Sequence, residues 1–396
     1  MIDKNALEVV LQTGGEIYNP VIKTHEMTKI MLPVGSREKY PLDVTGTMEL
    51  KRLLERAVSE SLLGHDKIGL LLSGGVDSSL LLHLVKRVNP DVEVIAYHTD
   101  FGVPERSEFR DAATMTDHEG VILRSIDVHS RKQIPFIEES LLMMKTISYA
   151  TPSVYMAFDR MRQDGVHVAF NALGLDELMA GYTIHKRYFN RNKYLKFFPS
   201  IGTTNKPLRY LMHKFGNDKA FMLSNILVDP PTRLVKDAEL DTNAFYESVN
   251  TSSLWDTIQR WTYVSMRDNF ATLTRRGAEA QGVKVIYPYM DYKLMKYCHS
   301  IEPEDKLNKA PIRWLMRSIY NIPEQIVRKG EDWDKIGWGG TPLPYFEDAN
   351  YMDAISTNRN ALEDWFTKRA ISRHKGSNRV FLQMLLFTKL LEILEC

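Results

Sequence analysis

A chain of 396 residues is long enough for two or three domains and for a sizeable buried core. Its 44% hydrophobic and 26% charged residues match ordinary soluble globular composition, which excludes collagen, low-complexity disorder and a disulfide scaffold. Lys and Arg number 51 against 50 Asp and Glu, a net charge of +1, so no whole-chain field points to nucleic acid or to an acidic surface.

Residues 1–47 read as an irregular arm or a few short strands, broken by Gly14-Gly15, Asn19-Pro20 and Pro33. From Thr47 to Leu63 apolar residues recur at helical spacing. Lys67–Leu72 is a short apolar run closed by Ser73-Gly-Gly, the pattern of a buried strand. Ser78–Arg87 returns to helical spacing, Val92–His98 is a second strand and Ser107–Glu119 a second helix. A third strand is expected over Val121–Val128, a helix over Ser153–Gln163 and a fourth strand over Val166–Asn171. Strands alternating with helices at this spacing predict a parallel sheet flanked by helices on both faces. Beyond about residue 185 the strand signal fades, and segments 205–225, 254–281, 291–300, 310–320 and 378–395 read as helices. The expected division is an arm over 1–47, an α/β core over 48–185 and a mostly helical part over 186–396.

Two cysteines occur, Cys298 and Cys396, with no CxxC, which excludes a thioredoxin-type pair and a cysteine-rich zinc site. Isolated thiols suit a reducing compartment. The first residues show no basic region leading into an apolar run, and Ile68–Leu72 and Val380–Phe387 are too short or interrupted to span a bilayer. A cytoplasmic location without membrane contact is expected.

The most informative stretch is Ser73-Gly74-Gly75-Val76-Asp77-Ser78-Ser79, lying between the first strand and its helix. Glycines lacking Cβ let backbone N–H groups close around an anion, and the helix N-terminus adds a positive dipole end. The hydroxyls of Ser78 and Ser79 suit phosphate oxygens. Asp77 would repel them unless a Mg²⁺ lies between. A tight strand-to-helix turn with a capping Asp or Ser is the purely structural reading. The loop is not a Walker loop, because GxxxxGK[ST] is absent.

SGGVDSS resembles the pyrophosphate loop of the ATP-pyrophosphatase (PP-loop) superfamily, which cleaves ATP between the α and β phosphates. Five further segments resemble the synthetase domain of the asparagine synthetase family. They are Thr151-Pro152; Asn171 to Tyr182, with Asp176-Glu177 at its centre; Asp268-Asn269 through Pro288 to Asp291; Lys309-Ala-Pro-Ile-Arg313; and Arg328-Lys329 through Trp333 to Gly337. All fall in the family's order over residues 66–340.

The resemblance implies a PP-loop α/β core with a helical C-terminal half. It also implies adenylation of a carboxylate by ATP with release of pyrophosphate, followed by displacement of AMP by ammonia or an amine. Mg²⁺ is assigned to Asp77 and Asp176, and basic catalytic residues to Lys309, Arg313 and Lys329. ATP contacts fall to Leu71, Leu72, Ser73, Gly74, Gly75, Asp77, Ser78, Ser79, His98, Ala172, Gly174 and Arg328. A solvated helix face plus a polar loop is the plainer reading of the basic residues. His98 likewise reads as a satisfied structural histidine.

Two departures bear on the substrates. Leu173 stands where the family carries Glu, and Lys329 sits one place from the family's Lys when counted from Trp333. Glu177 or Glu331 could do the missing carboxylate's work on the amine. No Cys precedes Cys298, so no thiolate could attack glutamine. Nitrogen is expected from ammonia, another amine or a separate glutaminase subunit. Asparagine formation from aspartate is the first expectation. The same chemistry on another carboxylate, as in the β-lactam synthetases and lasso-peptide cyclases, is the second. A non-catalytic nucleotide-binding regulator is the third. A nucleic-acid-modifying PP-loop enzyme is disfavoured by the lack of paired cysteines. The stretch Lys186–Phe198 mixes five basic residues with aromatics, which suits either stacked bases or a helix packed on its own domain. Trp333 and Trp338 would serve as a lid or simply pack. A homo-oligomer is expected.

Overall fold

The computed structural model describes residues 4–13, 41–102, 108–197, 217–227, 233–239, 241–332, 345, 347–356, 359–375 and 379–395. In chain order the elements used below begin with helices α1 (Lys4–Thr13) and α2 (Val44–Leu62), strand β1 (Lys67–Leu71) and helix α3 (Val76–Val88). Strand β2 (Glu93–Asp100), helix α4 (Phe109–Glu119) and strand β3 (Ile122–Asp127) follow. Next come α5 (Ile137–Met144), α6 (Thr151–Gln163), β4 (Val168–Phe170) and α7 (Thr183–Phe197). The last group is α8 (Leu254–Ser265), α9 (Thr272–Ala280), β5 (Lys284–Ile286), α10 (Tyr292–Ser300), α11 (Ala310–Ser318) and α12 (Arg379–Glu395).

The five strands form one sheet in the order β3-β2-β1-β4-β5, and every pairing is parallel. Alternation along the strands feeds two cores. Ile68 and Leu70 of β1, with Val94 and Ala96 of β2, join the apolar faces of α2, α3, α10 and α11. Leu71, Ile95 and Tyr97 point the other way and pack with Phe158 and Met161 of α6 and Leu273 and Ala278 of α9. Both faces are therefore apolar, as a sheet covered on two sides requires. The chain leaves β1 toward β2 and β3, then returns across the sheet to β4. Order reverses between β1 and β4, and the crevice at their C-terminal ends is where such folds bind ligands.

The structure corrects the expected arm. Its described residues are the helix α1 and residues 41–47, the last four of which already belong to α2. Leu7 and Leu11 of α1, one turn apart, are wholly buried with Ile137 and Leu141 of α5 and with Leu382, Leu386 and Leu390 of α12. Glu8 between them is buried and accepts from the Leu234 and Val235 backbone amides at 3.0 and 2.6 Å. Residues 14–40 and most of the predicted 205–225 helix lie outside the described residues. The fading of strand signal beyond residue 185 is corrected as well, because β5 completes the sheet from residues 284–286. Three residues, Lys284 exposed and Val285 and Ile286 partly buried, are too few to display a period. The predicted helix over 254–281 runs as α8, a π-helical stretch Met266–Ala271, and α9.

Candidate functional site

The glycine-rich loop leaves β1 and turns directly into α3. Gly74 has φ +86°, and a Cβ there would lie 2.7 Å from the Glu108 carbonyl oxygen and 2.9 Å from the Ala112 nitrogen. Only glycine lets the loop lie this close to the start of α4. Gly75 caps α3 without a side-chain hydrogen bond, and the first turn of α3 presents the positive end of its dipole toward the loop. The Ser73 hydroxyl accepts from the Gly75 amide at 3.2 Å and lies 3.1 Å from the Ser78 hydroxyl. Ser79 is wholly buried, and its hydroxyl has no hydrogen-bond partner among the described residues.

Three distant segments converge beside this loop. Lys309 is 2% exposed, and its Nζ donates to Asp77 and lies 2.7 Å from Asp176 Oδ1. Burial alone would pull the ammonium pKa down, but the carboxylates of Asp176 and Asp77 overturn that and hold it above the ordinary lysine value. The backbone is shaped for the purpose. Asn308 and Lys309 both adopt left-handed conformations, φ +52° and +62°, and their amides donate to the Ala180 and Met179 carbonyls at 3.2 and 2.9 Å.

Gly181 is the other glycine the cluster requires. A Cβ there would sit 1.9 Å from Asp176 Oδ1 and 2.7 Å from Lys309 Cε. Gly181→Ala is expected to cost about 1–3 kcal/mol in urea unfolding, as overpacking does, and to break the contact between Asp176 and Lys309. A variant as stable as the parent would contradict this.

Behind Asp176, Glu177 is 1% exposed and accepts a hydrogen bond from the Tyr182 hydroxyl. Burial, helped by the neighbouring charge of Asp176, pushes the Glu177 carboxyl up to about 8. A buried carboxyl that titrates near neutrality is placed to take or give a proton.

The other expected residues take varied places. Lys329 Nζ lies 2.6 Å from both Glu108 and Asp111, the residues of the α4 start that pack on Gly74, so it borders the loop. Burial raises the Glu108 carboxyl above its ordinary value, and the Lys329 charge opposes that rise only in part. Arg313, expected to be catalytic, spends its guanidinium on backbone carbonyls. Its guanidinium donates to the Val327 carbonyl and, at 2.9 Å each, to the carbonyls of Asn308 and Lys329, holding both basic segments in place. Arg328 is 71% exposed and paired with Glu324 at 2.8 Å, a pair it would have to leave to touch a nucleotide.

His98 donates from Nδ1 to the Leu72 carbonyl at 3.0 Å and packs against Phe109. Burial lowers its pKa, which keeps the ring neutral. Leu71 and Leu72 bury their side chains in opposite cores, leaving only backbone for a ligand. Ala172 is buried, and Gly174, φ +114°, begins the short turn that carries Asp176. Leu173 is half-buried and its amide donates to Asn171 Oδ1 at 3.2 Å. Glu331 is exposed and paired with Arg317, which leaves Glu177 as the buried carboxyl of the two candidates. Trp333 and Trp338 lie outside the described residues.

Sequence reasoning missed Glu108, Asp111, Tyr182 and Asn308. Tyr182 was within reach, since it closes the quoted Asn171–Tyr182 segment. The pairing of Lys329 with residues more than two hundred places earlier left no local trace.

A parallel sheet of this order, with a glycine loop and an acid–lysine cluster at the reversal point, defines an α/β protein of the PP-loop nucleotide-binding type. The sequence profile described as Asparagine synthase matches residues 49–330, and the chain belongs to that family. It is 25% identical over 326 residues to asparagine synthetase [glutamine-hydrolyzing] 2 of Oryza sativa subsp. japonica, covering 78% of this chain and 44% of that protein. It is 30% identical over 151 residues to a putative asparagine synthetase [glutamine-hydrolyzing] of Methanocaldococcus jannaschii, covering 36% and 27%. The chain thus spans less than half the length of these relatives. Among solved structures, the NH3-dependent NAD synthetase of Campylobacter jejuni shares 16% identity at a TM-score of 0.29, covering 46% of this chain and 92% of that one. No helix among the described residues is long and apolar enough to cross a membrane.

Proposed function

We propose that the chain is an ATP-dependent carbon–nitrogen ligase that adenylates a carboxylate and passes the acyl group to ammonia or an amine, with aspartate as the first substrate. The observation that carries this reading is Lys309 seated between Asp77 and Asp176 at the C-terminal ends of β1 and β4. The α-phosphorus takes a carboxylate oxygen as its bond to the bridging oxygen breaks, and pyrophosphate leaves. Negative charge grows on the phosphoryl oxygens in that step. A preorganised ammonium beside the phosphate loop stabilises it.

The donor set fits a hard divalent cation. Two carboxylates converge on one positive charge, with oxygen ligands only, so Asp77 and Asp176 would hold Mg²⁺. When bound, that ion neutralises phosphate charge and favours departure of pyrophosphate. In the second half-reaction nitrogen adds to the acyl carbon and AMP leaves with the electrons of the C–O bond. Glu177, in its ionised form, takes the proton that nitrogen loses.

Leu173 favours one second reading. An aliphatic, half-buried side chain where the family has Glu offers nothing to an ammonium ion, which suits a different carboxylate or a bulkier amine. Nitrogen supply from a separate glutaminase subunit fits the names of the glutamine-hydrolysing relatives. Pyrophosphate release from Mg²⁺-ATP, measured with aspartate, with and without ammonium and beside an Asp77→Ala control, tests the proposal. Asparagine formed only with ammonium is the expected result. Release that needs another carboxylate would discard aspartate while keeping adenylation, and ATP binding without release under any condition would discard the ligase.

A further inference from the structure

Away from the loop, α3 and α4 bring together three side chains with no part in the chemistry above. His83 lies near the middle of α3, and His118 and Glu119 end α4. One ligand atom from each falls within 4.8 Å of the others. His83 Nδ1 is 2.8 Å from Glu119 Oε1, and His118 Nε2 is 3.7 Å from the same oxygen. Around a tetrahedral zinc ion with bonds of about 2.0–2.1 Å, ligand atoms stand roughly 3.3 Å apart, between those two distances.

A simple histidine–carboxylate pair leaves something unexplained. If neutral His83 donates from Nδ1 to Glu119, its Nε2 becomes a bare acceptor. That nitrogen is buried and has no hydrogen-bond partner among the described residues. An unmet buried acceptor is costly. A metal on Nδ1 moves the proton to Nε2. The ring lies against Tyr320, centroids 4.9 Å apart and tilted 50°.

We propose that His83, His118 and Glu119 form a binding site for a zinc-class divalent ion that clips the C-terminal end of α4 to α3. Two imidazoles and one carboxylate suit that metal, whereas Mg²⁺ prefers oxygen alone. The site has an access path, since the His118 side chain is 37% exposed while those of His83 and Glu119 are 13% and 10%. The last turn of α4 adds a negative dipole end. Six residues separate His83 from Asp77, about 9 Å along the helix, so the clip is distinct from the phosphate site.

The test is calorimetric titration of the EDTA-stripped full chain with Zn²⁺, repeated in excess Mg²⁺ and with His118→Ala, whose exposed position leaves the fold intact. Absorption of the Co²⁺-loaded chain reports geometry independently. One ion per chain is expected, unaffected by Mg²⁺, with affinity falling more than about tenfold in the variant and the tetrahedral Co²⁺ bands lost. Absence of zinc binding, competition by Mg²⁺, or unchanged affinity in His118→Ala would each overturn the proposal.

Discussion

Lys309→Ala is expected to lower carboxylate-dependent pyrophosphate release by about 10²–10³-fold, the cost of removing one preorganised charge from a phosphoryl-type transition state. The side chain cannot be replaced from solvent, because it is 2% exposed and its backbone is fixed by the Met179 carbonyl. Breaking a wholly buried ion pair costs about 3–5 kcal/mol. Here the loss should be nearer about 2 kcal/mol, since the two carboxylates keep roughly a fifth of their exposure and can hydrate. The variant should also gain more thermal stability from added Mg²⁺ than the parent does, because the cation restores charge between Asp77 and Asp176. Release within tenfold of the parent would remove Lys309 from the reaction.

Glu177→Gln separates the two half-reactions. Adenylation, read as exchange of labelled pyrophosphate into ATP, should persist, while amide formation falls by about 10²–10⁴-fold, the usual worth of a positioned base. The same variant should be more stable than the parent at neutral and alkaline pH. The carboxyl titrates near 8 in the folded chain against a reference of 4.5, so the folded state holds a proton that the unfolded state has lost throughout that window. Stability therefore falls as pH rises from 4.5 toward 8, by about 3 kcal/mol at pH 7 relative to acid. Gln has no proton to lose and keeps an oxygen for the Tyr182 hydroxyl. Parallel stability–pH curves for parent and variant would show Glu177 to be unperturbed.

Much of the core was legible because glycine and apolar runs punctuate it. The first four strands and their helices follow from runs such as Lys67–Leu72 ending at Ser73-Gly74-Gly75, and the structure moves their ends by only a few residues. β5 was hidden because three residues carry no period, and α1 because its apolar partners lie in α5 and α12. Within the site, Asp77 was singled out by the charge logic of the glycine loop, whereas Asp176 and Lys309 came through motif resemblance. What each touches was not legible. Arg313 reads as an exposed helical base in sequence, yet its partners are backbone carbonyls, which no side-chain pattern encodes.

The seating of Lys309 also sets an order on biosynthesis. A growing chain places both carboxylates at the sheet edge well before their shared lysine exists, since 133 residues separate Asp176 from Lys309. At about 5–20 residues per second that interval lasts roughly 7 to 27 seconds. During it β5 is also unmade for most of the time, so the nascent domain carries an open sheet edge and an acidic pair still lacking its lysine at the same moment. Ribosome-bound chains halted before residue 284 should accordingly depend on divalent cations and chaperones in a way that the finished protein does not.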